Sequence, residues 1–241
     1  MPDQPLPLLE ANVNHAYHYA PLHYLPFILR SSDLRSKARL RLDGYAARHF
    51  RSTSARQDEV RGFGSYVHTS LAPHPPILQA KLGRGFPHFE VSVPAAAIEA
   101  QEYLLCRFNI AKTRYFRGAK QEPPESQVNG RYFEDLRLPV ARTTQEKRAL
   151  LRENLGFRMI EVLVRDRLPL PRDSVVTVFS DDDFAIAQEV SGKLSAPFAI
   201  AIDRSLQYPQ KTRTREEVLK ALNHAVAEES WKGSGLEFDR V

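Results

Sequence analysis

Apolar and polar positions alternate in short runs along most of the chain, and the pattern reads as many brief strands with a few helices between them. Ala16-Tyr17-His18-Tyr19-Ala20 is an extended run ended by Pro21. Leu22, Leu25, Ile28 and Leu29 then recur at helical spacing as far as Ser31-Ser32. Residues 40–49 are compatible with a helix, and residues 51–64 form a basic loop punctuated by Gly62 and Gly64. Residues 65–71 alternate as a strand, Pro76-Ile77-Leu78 opens another short element, and residues 88–93 are a clear strand followed by a helical turn over 94–100. Residues 103–108 and 113–116 are further extended pieces, whereas 118–131 is a polar loop carrying two prolines and two glycines. Thr143 or Thr144 caps a helix through Asn154. Residues 174–179 are a strand, 181–194 a helix and 197–202 a second strand. In the tail, Thr214-Arg215-Glu216-Glu217 is a capping box before an apolar face of Val218, Leu219, Leu222 and Val226. The proline-dotted residues 1–14 predict an irregular lead-in. No internal repeat is visible, and the pattern predicts a mixed α+β fold.

The stretch Gly156-Phe157-Arg158-Met159-Ile160-Glu161-Val162-Leu163-Val164-Arg165 carries the least ordinary pattern. Read with period two, Phe157, Met159, Glu161 and Leu163 share a face, which sets a carboxylate among apolar side chains. An unpaired buried carboxylate is costly, so such a residue has a partner or a task. A helical reading competes, with Phe157, Ile160 and Leu163 as an apolar stripe and Arg158, Glu161 and Arg165 as a solvated face. The β-branched content, the leading glycine and the closing Leu168-Pro169-Leu170-Pro171 favour the strand.

Composition narrows the class. The 241 residues suffice for one large domain or two small ones, and 42% hydrophobic with 26% charged residues describe an ordinary globular protein. The lone Cys106 excludes an internal disulfide framework and a cysteine-built metal site. Met1-Pro2-Asp3-Gln4-Pro5 lacks a signal-peptide pattern, and no apolar run approaches the roughly 18 residues of a membrane span. These features predict a cytoplasmic protein.

Charge is more telling than its sum of +5. From Arg30 to Arg61 there are nine bases against four acids, and from Arg107 to Lys120 five bases and no acid, interleaved with Phe108, Tyr115 and Phe116. Arginine forks suit phosphate oxygens, so the two segments suggest a phosphate-bearing ligand, a nucleic acid, or both; a solvated basic surface is the plain alternative. His15, His18 and His23 lie close in sequence, but no acid or cysteine pattern accompanies them as metal ligands. There is no phosphate-binding glycine loop, no His-Glu-x-x-His and no Gly-x-Ser-x-Gly.

A different set of blocks occurs in order. Tyr17-His18-Tyr19-Ala20 is followed by Leu25-Pro26-Phe27-Ile28-Leu29-Arg30-Ser31-Ser32-Asp33-Leu34, then by Gly62-Phe63-Gly64-Ser65-Tyr66-Val67 and Pro75-Pro76-Ile77-Leu78. Lys112-Thr113-Arg114-Tyr115-Phe116, Arg158-Met159-Ile160-Glu161-Val162-Leu163-Val164 and Ile200-Ala201-Ile202-Asp203-Arg204 complete the series. From about residue 16 to residue 208 this order resembles DarT-type DNA ADP-ribosyltransferases, a toxin family of the DUF4433-like kind. The resemblance implies an α+β ADP-ribosyltransferase-like fold of two small packed β-sheets with flanking helices. It spans 16–208, after the lead-in of 1–15 and before a tail of 209–241 with an amphipathic helix.

The resemblance implies NAD as co-substrate and no metal. Glu161 matches the catalytic glutamate, and Arg51, with Arg56 as alternate, matches the arginine that grips the pyrophosphate and shares in catalysis. Tyr17, His18 and Tyr19 fall at the nicotinamide end of the cofactor site. Arg107, Asn109, Lys112, Arg114, Arg117 and Lys120 fall where a nucleic acid, with single-stranded DNA favoured, is bound. A neutralising or ADP-ribose-removing antitoxin is the implied partner, and no membrane is. Three departures stand out. Ala20 replaces the threonine of the opening motif, Tyr24 stands at the family's nearby asparagine, and the substrate-loop histidine has Arg107 or Asn109 nearest in its place. The chemistry is consistent: a carboxylate stabilises the positive charge that builds on ribose as nicotinamide leaves. Two other readings remain, the same transfer to a protein or RNA acceptor, and a non-enzymatic nucleic-acid-binding module.

Overall fold

The computed structural model describes residues 6–43, 62–106, 140–153 and 160–206, together with Glu216 and Lys220. Strand β1 (His15–Pro21) leads through a 3-10 turn, Leu22–Tyr24, into a helix, Leu25–Ser31. The helix stops where Ser32 turns left-handed at φ 51°, with its N–H donating to the Ile28 carbonyl. Strand β2 (Asp33–Arg35) and a helix, Lys37–Leu42, follow, the helix capped by Ser36 Oγ accepting from the Arg39 N–H. Strand β3 (Tyr66–Ser70), a helix, Pro76–Gly83, strand β4 (His88–Pro94), a helical turn, Ala95–Glu99, and strands β5 (Tyr103–Cys106) and β6 (Val140–Ala141) come next. The second half holds a helix, Thr144–Glu153, then β7 (Glu161–Arg165), β8 (Arg167–Pro169) and β9 (Val175–Val178). A long helix, Asp181–Leu194, strand β10 (Ala199–Ile202) and a 3-10 turn, Arg204–Leu206, follow.

Among the described residues, eight strands join in the order β10-β9-β4-β1-β3-β7-β5-β6, and β2 pairs with β8 in a separate ribbon. The two small packed sheets expected from the sequence are one large sheet here, and its order divides into two four-strand groups. They meet through a single registered pair, Tyr17 opposite Ser70, whereas β1 and β4 are paired along seven positions and β3 and β7 along five. Asp166, at φ 56°, turns the chain from β7 into β8 and donates its N–H to the Ser65 carbonyl. Among the described residues, all ladders are antiparallel except β9 with β10, which the helix Asp181–Leu194 connects as a crossover.

One face of the sheet is the core. Ala16, Val67, Val91, Val93, Val162, Val164 and Val176 are buried on it. The helices Asp181–Leu194 and Leu25–Ser31 pack on each other, and the first contributes Ile186, Ala187 and Val190 to that core. Its N-terminus is fixed by Ser180 Oγ accepting from the Asp183 N–H, and three aspartates occupy the first turn, where the helix dipole favours them. The expected irregular lead-in contains a short helix, Pro7–Glu10, because Pro7 suits a first helical position and Leu8 is fully buried in the core. Among the described residues, no helix is long and apolar enough to cross a membrane.

Candidate functional site

Glu161 opens β7, so the stretch read from sequence as strand or helix is a strand from Glu161 onward. Val162 and Val164 point into the core, which leaves Glu161 and Leu163 on the other face. Glu161 is nevertheless 9% exposed, so its carboxylate is held out of water.

Register shows its company. Glu161 stands opposite Cys106 on one side and Ser70 on the other; Ser70 is opposite Tyr17, and Tyr17 opposite Ser92. Directly opposed residues share a face, so Cys106, Glu161, Ser70, Tyr17 and Ser92 form one row across five strands. The row passes through the seam where the two halves of the sheet are tied by that single pair. Beside it, Tyr19 stands opposite Glu90, and Glu90 opposite Thr177. Burial, with the Glu161 charge second, pushes the Cys106 thiol well above its ordinary range, so it remains a protonated, buried group.

His68, two residues before Ser70 on the same face of β3, reaches back to Glu161. Its Nδ1 lies 3.1 Å from Glu161 Oε1 and its Nε2 3.2 Å from the Phe63 carbonyl oxygen. His18 belongs by alternation to the other face of β1, with Ala16 and Ala20. It meets the site through the backbone: His18 Nδ1–H donates to the His68 carbonyl at 2.8 Å. Burial pushes the His18 imidazole below its ordinary range, with the bond to that carbonyl acting the other way. The neutral ring therefore donates at Nδ1 and presents an acceptor at Nε2.

Of the residues expected at the site, Tyr17 shares a row with Glu161, Tyr19 lies two residues along on the same face, and His18 lies on the opposite face, tied to β3 through the His68 carbonyl. Burial, with Glu90 second, raises the Tyr17 phenol, which stays protonated at neutral pH. Arg51 and Arg56, the expected pyrophosphate arginines, lie outside the described residues. So do the expected nucleic-acid residues Arg107, Asn109, Lys112, Arg114, Arg117 and Lys120.

Two features at the site emerge from the fold. His68 was legible only as a polar residue in an alternating strand. The other is a cluster on the same face: His74 sits with Nδ1 3.3 Å from Glu90 Oε1 and Nε2 2.9 Å from Asp203 Oδ2. The His74 backbone N–H also donates to Glu90 Oε2 at 2.8 Å, a bond that the left-handed φ of 49° at His74 permits. Burial raises the Glu90 carboxyl above its ordinary range, and His74 opposes that rise. Glu90 in an otherwise apolar strand was the available signal. Among the described residues, no cluster of histidine, cysteine, aspartate and glutamate is disposed to hold a metal ion.

The architecture has counterparts among solved structures. The chain superposes on DarT from Thermus sp. 2.9 in complex with ADP-ribosylated ssDNA with a TM-score of 0.54 at 14% identity, covering 82% of this chain and 97% of that one. The same protein in complex with carba-NAD+ gives 0.50 at 13% identity, over 81% and 98% of the two chains. Thermosipho africanus DarTG in complex with ADP-ribose gives 0.50 at 11% identity, over 82% of this chain and 52% of that one. No family model and no curated protein matches the sequence. At these identities what is shared is architecture: the chain has the DarT fold.

Proposed function

We propose that the protein is an NAD-dependent ADP-ribosyltransferase that modifies a nucleic-acid base, with single-stranded DNA as the favoured acceptor. The observation that carries this reading is Glu161, a carboxylate held out of water in a row with Ser70 and Tyr17 at the seam of the sheet. The fold shared with a DarT bound to ADP-ribosylated ssDNA supports it, as does the ordered resemblance of the sequence blocks. In the reaction, the bond between ribose C1′ and the nicotinamide nitrogen breaks and its electron pair leaves with nicotinamide. The acceptor nitrogen then bonds to C1′ and gives up a proton. Glu161 opposes the positive charge on the sugar between these events, at a point where little water screens it. Tyr17 and Tyr19 supply an aromatic wall for the nicotinamide end, with His18 behind them on the opposite face of β1, and Arg51 or Arg56 supplies the fork for the pyrophosphate. The basic residues from Arg107 to Lys120 lead the nucleic acid to this point. The protein then acts as a cytoplasmic toxin, which calls for a partner that neutralises it or removes the ADP-ribose.

The test is nicotinamide release from NAD with a single-stranded DNA oligonucleotide, followed by mass measurement of the oligonucleotide; RNA and protein acceptors run in parallel. Glu161→Gln keeps the size of the side chain and removes its charge. Its turnover should fall about a hundredfold or more, roughly 3 kcal/mol, with NAD binding little changed, because the opposing charge exists fully only at the transition state. A folded Glu161→Gln protein that transfers at the wild-type rate refutes the assignment. Modification of RNA or protein in place of DNA keeps the chemistry and changes the acceptor.

A further inference from the structure

His68 has two ring nitrogens and both face oxygen. The Phe63 carbonyl, 3.2 Å from Nε2, can only accept, so Nε2 carries a hydrogen. Nδ1 is 3.1 Å from Glu161 Oε1, and a hydrogen bond there needs a second proton, on the ring or on the carboxyl. The pair therefore shares one proton in either arrangement. The contact is also the diagonal one between β3 and β7, since His68 itself stands opposite Leu163 and Ser70 opposite Glu161. Its anchor is firm: the ring is tied to Phe63 and the His68 carbonyl is tied to His18 Nδ1. A chain of polar contacts thus runs from His18 through His68 to Glu161.

From this geometry we infer that His68 is the positioning residue for Glu161. It fixes the carboxyl group of Glu161 in one orientation through Nδ1, so that the group meets the sugar cation without first reorganising. This deepens the transferase reading and rests on it. Glutamate has three rotatable side-chain bonds, and a strand terminus alone does not fix them. A shift of an ångström in the charge weakens stabilisation of a cation that forms at one point.

The test uses the full chain, NAD and a single-stranded DNA oligonucleotide, with nicotinamide release giving kcat and KM and thermal unfolding giving stability. His68→Phe keeps a planar ring and deletes both nitrogens. His68→Asn places an amide N–H near the position of Nδ1 and restores a donor to Glu161. His68→Phe should lower kcat by about ten- to a hundredfold with KM for NAD nearly unchanged, and His68→Asn should recover most of that loss. A purely structural role predicts loss that follows the unfolding temperature and gives no recovery in kcat with asparagine. Wild-type kcat in His68→Phe, or a loss that His68→Asn does not recover, overturns the inference. Glu161→Gln separates the layers: if it is inactive while His68→Phe is fully active, only the inference about His68 falls. If Glu161→Gln is fully active, or if the wild-type protein releases no nicotinamide with any acceptor, both readings fall.

Discussion

Acid should destabilise this protein through two particular histidines. His23 lies in the 3-10 turn after β1, edge-on to Tyr24 with ring centroids 4.2 Å apart. His88 opens β4, its Nδ1–H donating to the Phe86 carbonyl at 2.8 Å. The two segments are stitched by the Leu22 N–H donating to the Pro87 carbonyl at 3.0 Å. Burial lowers His23 from 6.5 to about 3, with His88 as a secondary cause. Burial likewise lowers His88 from 6.5 to about 4; the Phe86 carbonyl opposes this and the Lys81 charge adds to it. Both rings are neutral in the folded protein, whereas the unfolded chain binds their protons below about 6.5. Stability is then complete well above pH 6.5 and falls as pH drops through 6.5 toward the folded values, because the unfolded state takes up protons that the folded state refuses. Between pH 7.5 and 5.5 the loss is about 1.4 kcal/mol per ring and about 3 kcal/mol for the pair, set almost wholly by the unfolded value. That is a large part of a typical domain stability of about 5–15 kcal/mol. His18 acts in the same direction, and Glu90, whose carboxyl burial raises, acts in the opposite one. Urea unfolding at the two pH values therefore compares the wild type with His23→Leu, His88→Leu and the double variant, which share every other group. Each leucine should remove about 1.4 kcal/mol of the difference between pH values. Identical pH dependence in all four proteins would refute the reasoning.

Two further expectations concern the basic segments. Whichever of Arg51 and Arg56 grips the pyrophosphate should lose NAD affinity on change to lysine, since a point charge does not replace a bidentate fork; equal binding by both lysine variants, measured calorimetrically, would move the phosphate site elsewhere. If Arg114, Arg117 and Lys120 follow a phosphate backbone, affinity for single-stranded DNA should fall steeply with salt. Neutralising each should then flatten the slope of log K against log salt by about 0.7, and a salt-independent affinity would exclude that path.

Local signals in the sequence settled a good deal. The helix Asp181–Leu194 has the bounds that its pattern predicts, because a serine cap, an acidic first turn and a left-handed Ser195 are all encoded within a few residues of its ends. Thr143 caps its helix by accepting from the Glu146 N–H, while Glu146 Oε2 accepts from the Thr143 N–H, a reciprocal arrangement visible as Thr-x-x-Glu. The helix-or-strand ambiguity at Glu161 was different in kind. Period-two and period-3.6 patterns overlap over five residues, and only pairing with β3 and β5 decided it.

The sequence by itself determined the alternating strands, the caps, the uneven basic charge, and a glutamate that, if its stretch is a strand, sits in apolar company and demands a partner. Only the tertiary structure decided who that partner is. His68 and Glu161 are 93 residues apart, and no local rule relates them. Strand register does, because a shift of one residue in the β3–β7 ladder would send His68 and Glu161 to opposite faces. The same holds for His74, Glu90 and Asp203, three residues from separate parts of the chain that the sheet order brings side by side. Propensity and capping act over a few residues and are written in them. A site built across strands depends on long-range pairing, which emerges only when the whole sheet buries its apolar face.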